Sequence, residues 1–155
     1  MHPPLDRMKI RAKQFGRVDP LSNTFGKVRN HGTRVHQGWD IEASPGTPVY
    51  AIADGKLTHS HGKDYGECLQ LEFTQEGKTY YAFYAHLGLI LMKSCSVTEG
   101  SVVAFTGMSG NASGIPKAEA HLHFEIRTQS AAGKGLGGRI DPGEILGYKY
   151  YGCYQ

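Results

Sequence analysis

His121-Leu122-His123-Phe124-Glu125-Ile126-Arg127 alternates polar and apolar residues without a break. That is the period of a half-buried β-strand, in which side chains two apart share a face. Leu122, Phe124 and Ile126 are predicted to enter a core, which leaves His121 and His123 looking out together. Two imidazoles side by side on a rigid strand suit metal chemistry. Taken alone, they read more simply as two solvated histidines on an edge strand.

A second stretch, His36-Gln37-Gly38-Trp39-Asp40, changes that balance. A His and an Asp four residues apart can converge from a helix, but Gly38 and the β-rich flanks argue for a bent loop or strand start. Imidazole and carboxylate are ordinary zinc ligands, and one more His completes the usual three-protein-ligand catalytic set. A third stretch, Tyr80-Tyr81-Ala82-Phe83-Tyr84-Ala85-His86-Leu87, reads as an aromatic strand ending in a histidine.

In this order the pieces resemble the lysostaphin/LytM-type (M23 family) zinc endopeptidases of the bacterial cell wall. Phe25-Gly26-Lys27-Val28-Arg29 is similar to the family's opening strand and turn, His36 to Asp40 to its HxxxD, and residues 41–51 to its next turn and strand. Ala53-Asp54-Gly55, Tyr84-Ala85-His86-Leu87, Gly107-Met108-Ser109-Gly110 and His121-Leu122-His123-Phe124-Glu125 follow in the family's order, and Asp141-Pro142-Gly143-Glu144-Ile145-Leu146 resembles its closing turn. The likeness runs over residues 21–146. Ile115-Pro116-Lys117-Ala118-Glu119-Ala120 departs from it, being longer than the family's usual approach to HLHFE.

The resemblance implies an all-β, two-sheet, mostly antiparallel LytM-type fold (a duplicated hybrid motif) with a groove across the larger sheet. It implies one Zn²⁺ per chain on His36, Asp40 and His123, with His86 and His121 as the two catalytic histidines that do not bind metal. The implied substrate is the peptide cross-link of peptidoglycan, with stem peptides or cross-bridges as the bound partner. A D,D-endopeptidase acting as an antibacterial effector or lysin is the specific expectation. An immunity or inhibitor protein is then a further partner, and a monomer the expected state. Two alternatives stand beside it: a glycyl-glycine endopeptidase, or a catalytically inactive LytM-like regulator of other wall enzymes. A phosphocarrier of related β topology is more distant, since HxxxD would have no task in it.

At 155 residues the chain is long enough to bury roughly two-thirds of its unfolded surface as one domain. Twenty-one glycines and nine tyrosines against a single Trp fit many turns between short strands. The net charge is +3 and the pI about 8.7, too mild for the clustered basic footprint of a nucleic-acid binder. No apolar stretch is as long as a membrane span. Residues 1–19 show no period and are expected to form a poorly ordered arm before a single zinc peptidase domain over 20–155. They carry basic residues without an apolar h-region, so a secretory signal is not read there. The presumed substrate lies in the periplasm or cell wall, which implies a non-Sec route or a leader already removed.

Cys68, Cys95 and Cys153 show no metal-binding spacing. Cys95 with Cys68 or Cys153, or three reduced thiols, are all compatible with the count. His59-Ser60-His61 repeats the His-x-His spacing, but no second group of ligands stands beside it in the sequence. It reads as a strand end at a loop. Glu67-Cys68-Leu69-Gln70-Leu71-Glu72-Phe73 alternates well, and Gln75-Glu76-Gly77-Lys78 is predicted to turn it into the aromatic strand as an antiparallel hairpin.

Overall fold

A computed structural model describes residues 1–147, and their backbone follows this alternation. The strands begin with β1 (Lys13–Gln14), β2 (Arg17–Val18), β3 (Gly26–Arg29), β4 (Arg34–His36), β5 (Trp39–Glu42) and β6 (Pro48–Tyr50). They continue with β7 (Gly55–Gly62), β8 (Gly66–Gln75), β9 (Lys78–Ile90), β10 (Cys95–Val97), β11 (Val102–Thr106), β12 (His121–Arg127) and β13 (Arg139–Ile140). Helical structure is limited, among the described residues, to short 3₁₀ turns and the five-residue α1 (Pro142–Leu146). No helix there is long and apolar enough to cross a membrane.

Nine strands form one antiparallel sheet in the order β10-β7-β8-β9-β11-β6, with β12 on β9, and both β5 and β13 on β12. The β1–β2 and β3–β4 pairs are separate two-stranded ribbons. The fold is therefore all-β and antiparallel, as predicted. The hairpin between β8 and β9 also forms, with Gln75 opposite Lys78. Glu76 and Gly77 both have positive φ, +51° and +76°, which is what a two-residue hairpin turn with the right twist requires.

The sheet branches at β9. One edge of β9 runs along β8; the other pairs with β12 over residues 81–85 and with β11 over residues 87–90. His86 sits at the branch with φ +58°, a left-handed conformation uncommon for a non-glycine residue. Its N–H donates to the Tyr65 carbonyl (2.8 Å) and its carbonyl accepts from Gly107 N–H (3.0 Å), so two loops hold its backbone.

Alternation sorts the side chains. Trp39, Ile41, Tyr84, Leu122, Phe124 and Ile126 join Leu57, Leu69 and Leu71 in one core. Burial of each Leu, Ile or Phe there contributes about 1.5–3 kcal/mol. The opposite face of β5 and β12 presents Asp40, His121, His123 and Glu125, all buried as well. Gly38, in the turn between β4 and β5, crosses β12 so closely that a Cβ would meet the Phe124 carbonyl oxygen and Glu125 Cγ. Only glycine fits that crossing.

Residues 1–19, read from sequence as an arm, supply Leu5 and Ile10 to the core. Arg11 N–H donates to the Asp40 carbonyl (2.8 Å) and Glu42 N–H to the Lys9 carbonyl (2.8 Å), so this segment lies along β5. A few long-range contacts of this kind leave no periodic trace in sequence. Cys68 and Cys95 are not bonded to each other, and burial pushes the Cys68 thiol up to about 12. Cys153 and the tyrosine-rich tail lie outside the described residues.

Candidate active site

The histidines meet because two strand registers and one turn coincide. His123 lies opposite Asp40 on β5 and opposite Ala85 on β9, one residue from His86. His36, at the end of β4, returns over Gly38 to the same place. His36 Nε2 stands 3.1 Å from Asp40 Oδ1, and His123 Nδ1 stands 2.8 Å from the same oxygen. Potential ligand atoms of these three side chains all lie within 4.8 Å of one another. The His36 and His123 rings are 5.1 Å apart, His86 and His121 5.2 Å, and His86 and His123 6.0 Å. All five predicted site residues thus fall in one place.

Hydrogen bonds fix which nitrogen of each ring faces the site. A carbonyl oxygen can only accept, so a ring nitrogen bonded to one must carry the proton. His36 Nδ1 donates to the Thr24 carbonyl (2.9 Å), His86 Nδ1 to that of Ser109 (2.9 Å) and His121 Nδ1 to that of Glu119 (3.1 Å). Each of these rings, when neutral, keeps its Nε2 lone pair free. His123 is held the other way round, with Nε2 donating to Glu125 Oε1 at 2.9 Å and Nδ1 turned to Asp40.

The two carboxylates are themselves held. Asp40 Oδ2 accepts from Arg29 Nη2 (3.0 Å) and lies 3.9 Å from Arg11 Nη1, leaving Oδ1 to the histidines. Glu125 is fully buried; its Oε2 accepts from Arg127 Nε (2.6 Å) and Arg139 Nε (2.8 Å), and its Oε1 also accepts from Tyr65 OH (2.9 Å). Tyr65 stacks on His123 at 5.4 Å, and its hydroxyl oxygen also lies against the side-chain amide of Gln37.

These surroundings set the proton affinities. Burial works against a charged Asp40, but His36, His121 and His123 outweigh it and hold the carboxyl well below its usual range. Burial opposes the charge on Glu125 too, and His123 with Arg127 reverses that effect. Burial lowers His36 and His121, and takes His86 down to about 4. It opposes protonation of His123 as well, yet the bonds to Asp40 and Glu125 raise that residue to about 9. Two imidazoles and one carboxylate, each backed by a second partner, match the donor set and outer shell of a zinc site. A cation binding there displaces the proton from His123 Nδ1.

Sequence reasoning leaves out Glu125, Arg29, Arg11, Tyr65 and Arg139. Glu125 had a signal, since alternation puts it on the face of His121 and His123. The others arrive from distant segments and had none. Ile115, Pro116 and Glu119 of the long approach line the groove, and Glu119 Oε1 accepts from Arg11 Nη2 at 3.0 Å.

The sequence profile of peptidase family M23 matches residues 34–147. The DD-carboxypeptidase/endopeptidase Mpg of Neisseria meningitidis serogroup B is 36% identical over 111 residues, 69% of this chain but 24% of that protein. The chain thus spans about a quarter of the length of such relatives. Among solved structures, LytU is similar at 30% identity and a TM-score of 0.63, over 87% of this chain and 89% of that one. A zinc-containing peptidase from Vibrio cholerae is similar at 28% identity and a TM-score of 0.56, over 77% of this chain and 36% of that one.

Proposed function

Because the chain belongs to peptidase family M23, we propose that it is a zinc-dependent endopeptidase hydrolysing peptide cross-links of peptidoglycan. The observation that carries this reading is the convergence of two histidine pairs on Asp40. His36 and His123 lie at its Oδ1, with His86 and His121 beside them. His36 Nε2, Asp40 Oδ1 and His123 Nδ1 would hold the zinc. Bound there, zinc supplies Lewis acidity toward a peptide carbonyl and lowers the pKa of water toward about 7.

The remaining work falls to the chain. His86 and His121 each keep Nδ1–H on a backbone carbonyl, so each offers Nε2 to the groove as an acceptor, or as a donor once protonated. One takes a proton from the attacking water; the other steadies the oxyanion or protonates the departing amine. Burial keeps both neutral at pH 7, the form a general base needs.

We assign the scissile bond to the D,D cross-link between stem peptides, in line with the relative Mpg being a DD-carboxypeptidase/endopeptidase. Incubation with sacculi containing meso-diaminopimelate, followed by mass spectrometry, should show cross-linked dimers converted to monomers with glycan strands intact. Dimers that survive while a pentaglycine peptide is cut would overturn the substrate and leave the mechanism standing. Dimers and pentaglycine both surviving, with zinc bound, would return the chain to the inactive regulators.

A further inference from the structure

Strand β7 carries Leu57 into the core, and the same face carries His59 and His61 beyond the core's edge. On β8, Glu67 is the in-register partner of His61 and the diagonal neighbour of His59, so all three side chains share one patch of sheet. Glu67 Oε2 lies 2.5 Å from His59 Nε2, and its Oε1 lies 2.7 Å from His61 Nδ1. Two imidazole nitrogens already converge on the two oxygens of one carboxylate. None of the three residues belongs to the site on β12.

We propose that His59, His61 and Glu67 form a second metal site, for Zn²⁺ or a neighbouring late first-row divalent ion, which clamps the turn end of the β7–β8 hairpin. Two imidazoles and a carboxylate are the donor set such ions prefer, whereas Ca²⁺ and Mg²⁺ need cages of oxygen. Adjacent same-face positions on a strand are about 6.7 Å apart, so the rings must lean together to share an ion. They have room to do so: the His61 side chain is 66% exposed, and those of His59 and Glu67 are 25% and 31%. On binding, each neutral ring moves its proton to the other ring nitrogen, and a protonated ring releases one to solvent. The complex then carries about one net positive charge.

The clamp bears on the groove. Residues 62–65 at the β7–β8 turn form one wall of it, and Tyr65 in that turn bonds Glu125 and Gln37. Glu67 N–H donates to Ser109 Oγ (2.9 Å), and the carbonyl of Ser109 holds His86. An ion joining β7 to β8 closes the mouth of this turn and stiffens the wall.

The experiment is metal stoichiometry after equilibration with low micromolar zinc, on the intact chain and on His61→Ala, Glu67→Ala and His123→Ala. About two equivalents are expected in the native chain and about one in each variant, because His123→Ala removes a ligand of the other site only. Cobalt-loaded His123→Ala should keep visible absorption bands, and these should vanish when His61→Ala is added. The same number of equivalents with and without His61 overturns the site, whatever the total in the native chain. Trypsin cleavage at the exposed Lys63 reads the clamp. In the native chain it should slow by up to about a hundredfold when free metal is about 100 times its Kd, and in His61→Ala it should not. Metal bound without that protection overturns the clamp. Neither readout uses peptidase activity, so the inference and the function proposed above fail separately.

Discussion

The chain writes His-x-His twice, on β7 and on β12, and the two copies behave differently. On β12 the pair lies between β9 and β5, so register delivers Asp40 to it, and the left-handed turn at His86, next to the register partner Ala85, brings that ring beside it. Its imidazoles are nearly out of contact with water, at about 5% exposure. On β7 the pair lies at the end of the sheet, meets one carboxylate across a single hairpin, and is largely wet. Spacing gives the face a side chain points from; neighbours across the ladder decide its chemistry. Burial fixes tautomers and shifts pKa values in the first copy and leaves the second adaptable.

The contrast can be broken most severely on β12. His36→Ala, His123→Ala and Asp40→Asn should each remove the zinc of the β12 site, and with it activity on sacculi, measured by metal analysis and product release. Asp40→Asn should also lower stability by about 3–5 kcal/mol, because Arg29 keeps its charge without its buried carboxylate partner. Normal zinc content in any of the three reassigns the ligands.

Next in size is the division between ligand and non-ligand histidines. His86→Ala and His121→Ala should retain zinc while kcat/KM falls by about 10² to 10⁴. Zinc lost from His121→Ala and kept by His123→Ala would exchange their roles.

Glu125→Gln sharpens the comparison differently. It removes the charge behind His123 without removing the ligand, so zinc affinity should fall by about 10–100-fold in competition with a chelator. The matching loss on β7, after Glu67→Ala, should leave the affinity of the β12 site unchanged.

A last contrast is in stability without metal. Burial depresses His86 to about 4 from an ordinary value near 6.5. Between those pH values the unfolded chain binds the extra proton, so stability rises with pH and is lost as pH falls from about 6.5 to about 4. The amount is on the order of 3 kcal/mol. His123 acts in the opposite sense: its stabilisation is full below about 6.5 and is lost as pH rises through about 9. Urea midpoints of the chelated protein between pH 4 and 7 should therefore climb less steeply in His86→Gln. An unchanged slope would mean that His86 is hydrated in solution.

Much of this was legible in the sequence, and the physical reason is local. The alternation in residues 121–127 is a property of one strand, so it predicts faces without knowledge of partners, and Leu122 and His123 fall as it says. The Gln75 to Lys78 turn is equally local. Arg11, Tyr65 and Arg139 were not legible, because what they do depends on register between segments far apart in the chain. Glu67 stands six residues from His61, yet its relation to the pair appears only when β7 and β8 fold back on each other.

The threading of residues 1–33 has a practical side for anyone who cuts or transplants this unit. The family profile begins at Arg34, yet Leu5 and Ile10 plug the core, Thr24 orients His36, and Arg29 braces Asp40. A graft that starts at the profile's boundary carries all five histidine and aspartate positions while leaving their scaffolding behind. The transferable module is larger than its signature, and its first fifth is wiring without which the motif is only a string of letters.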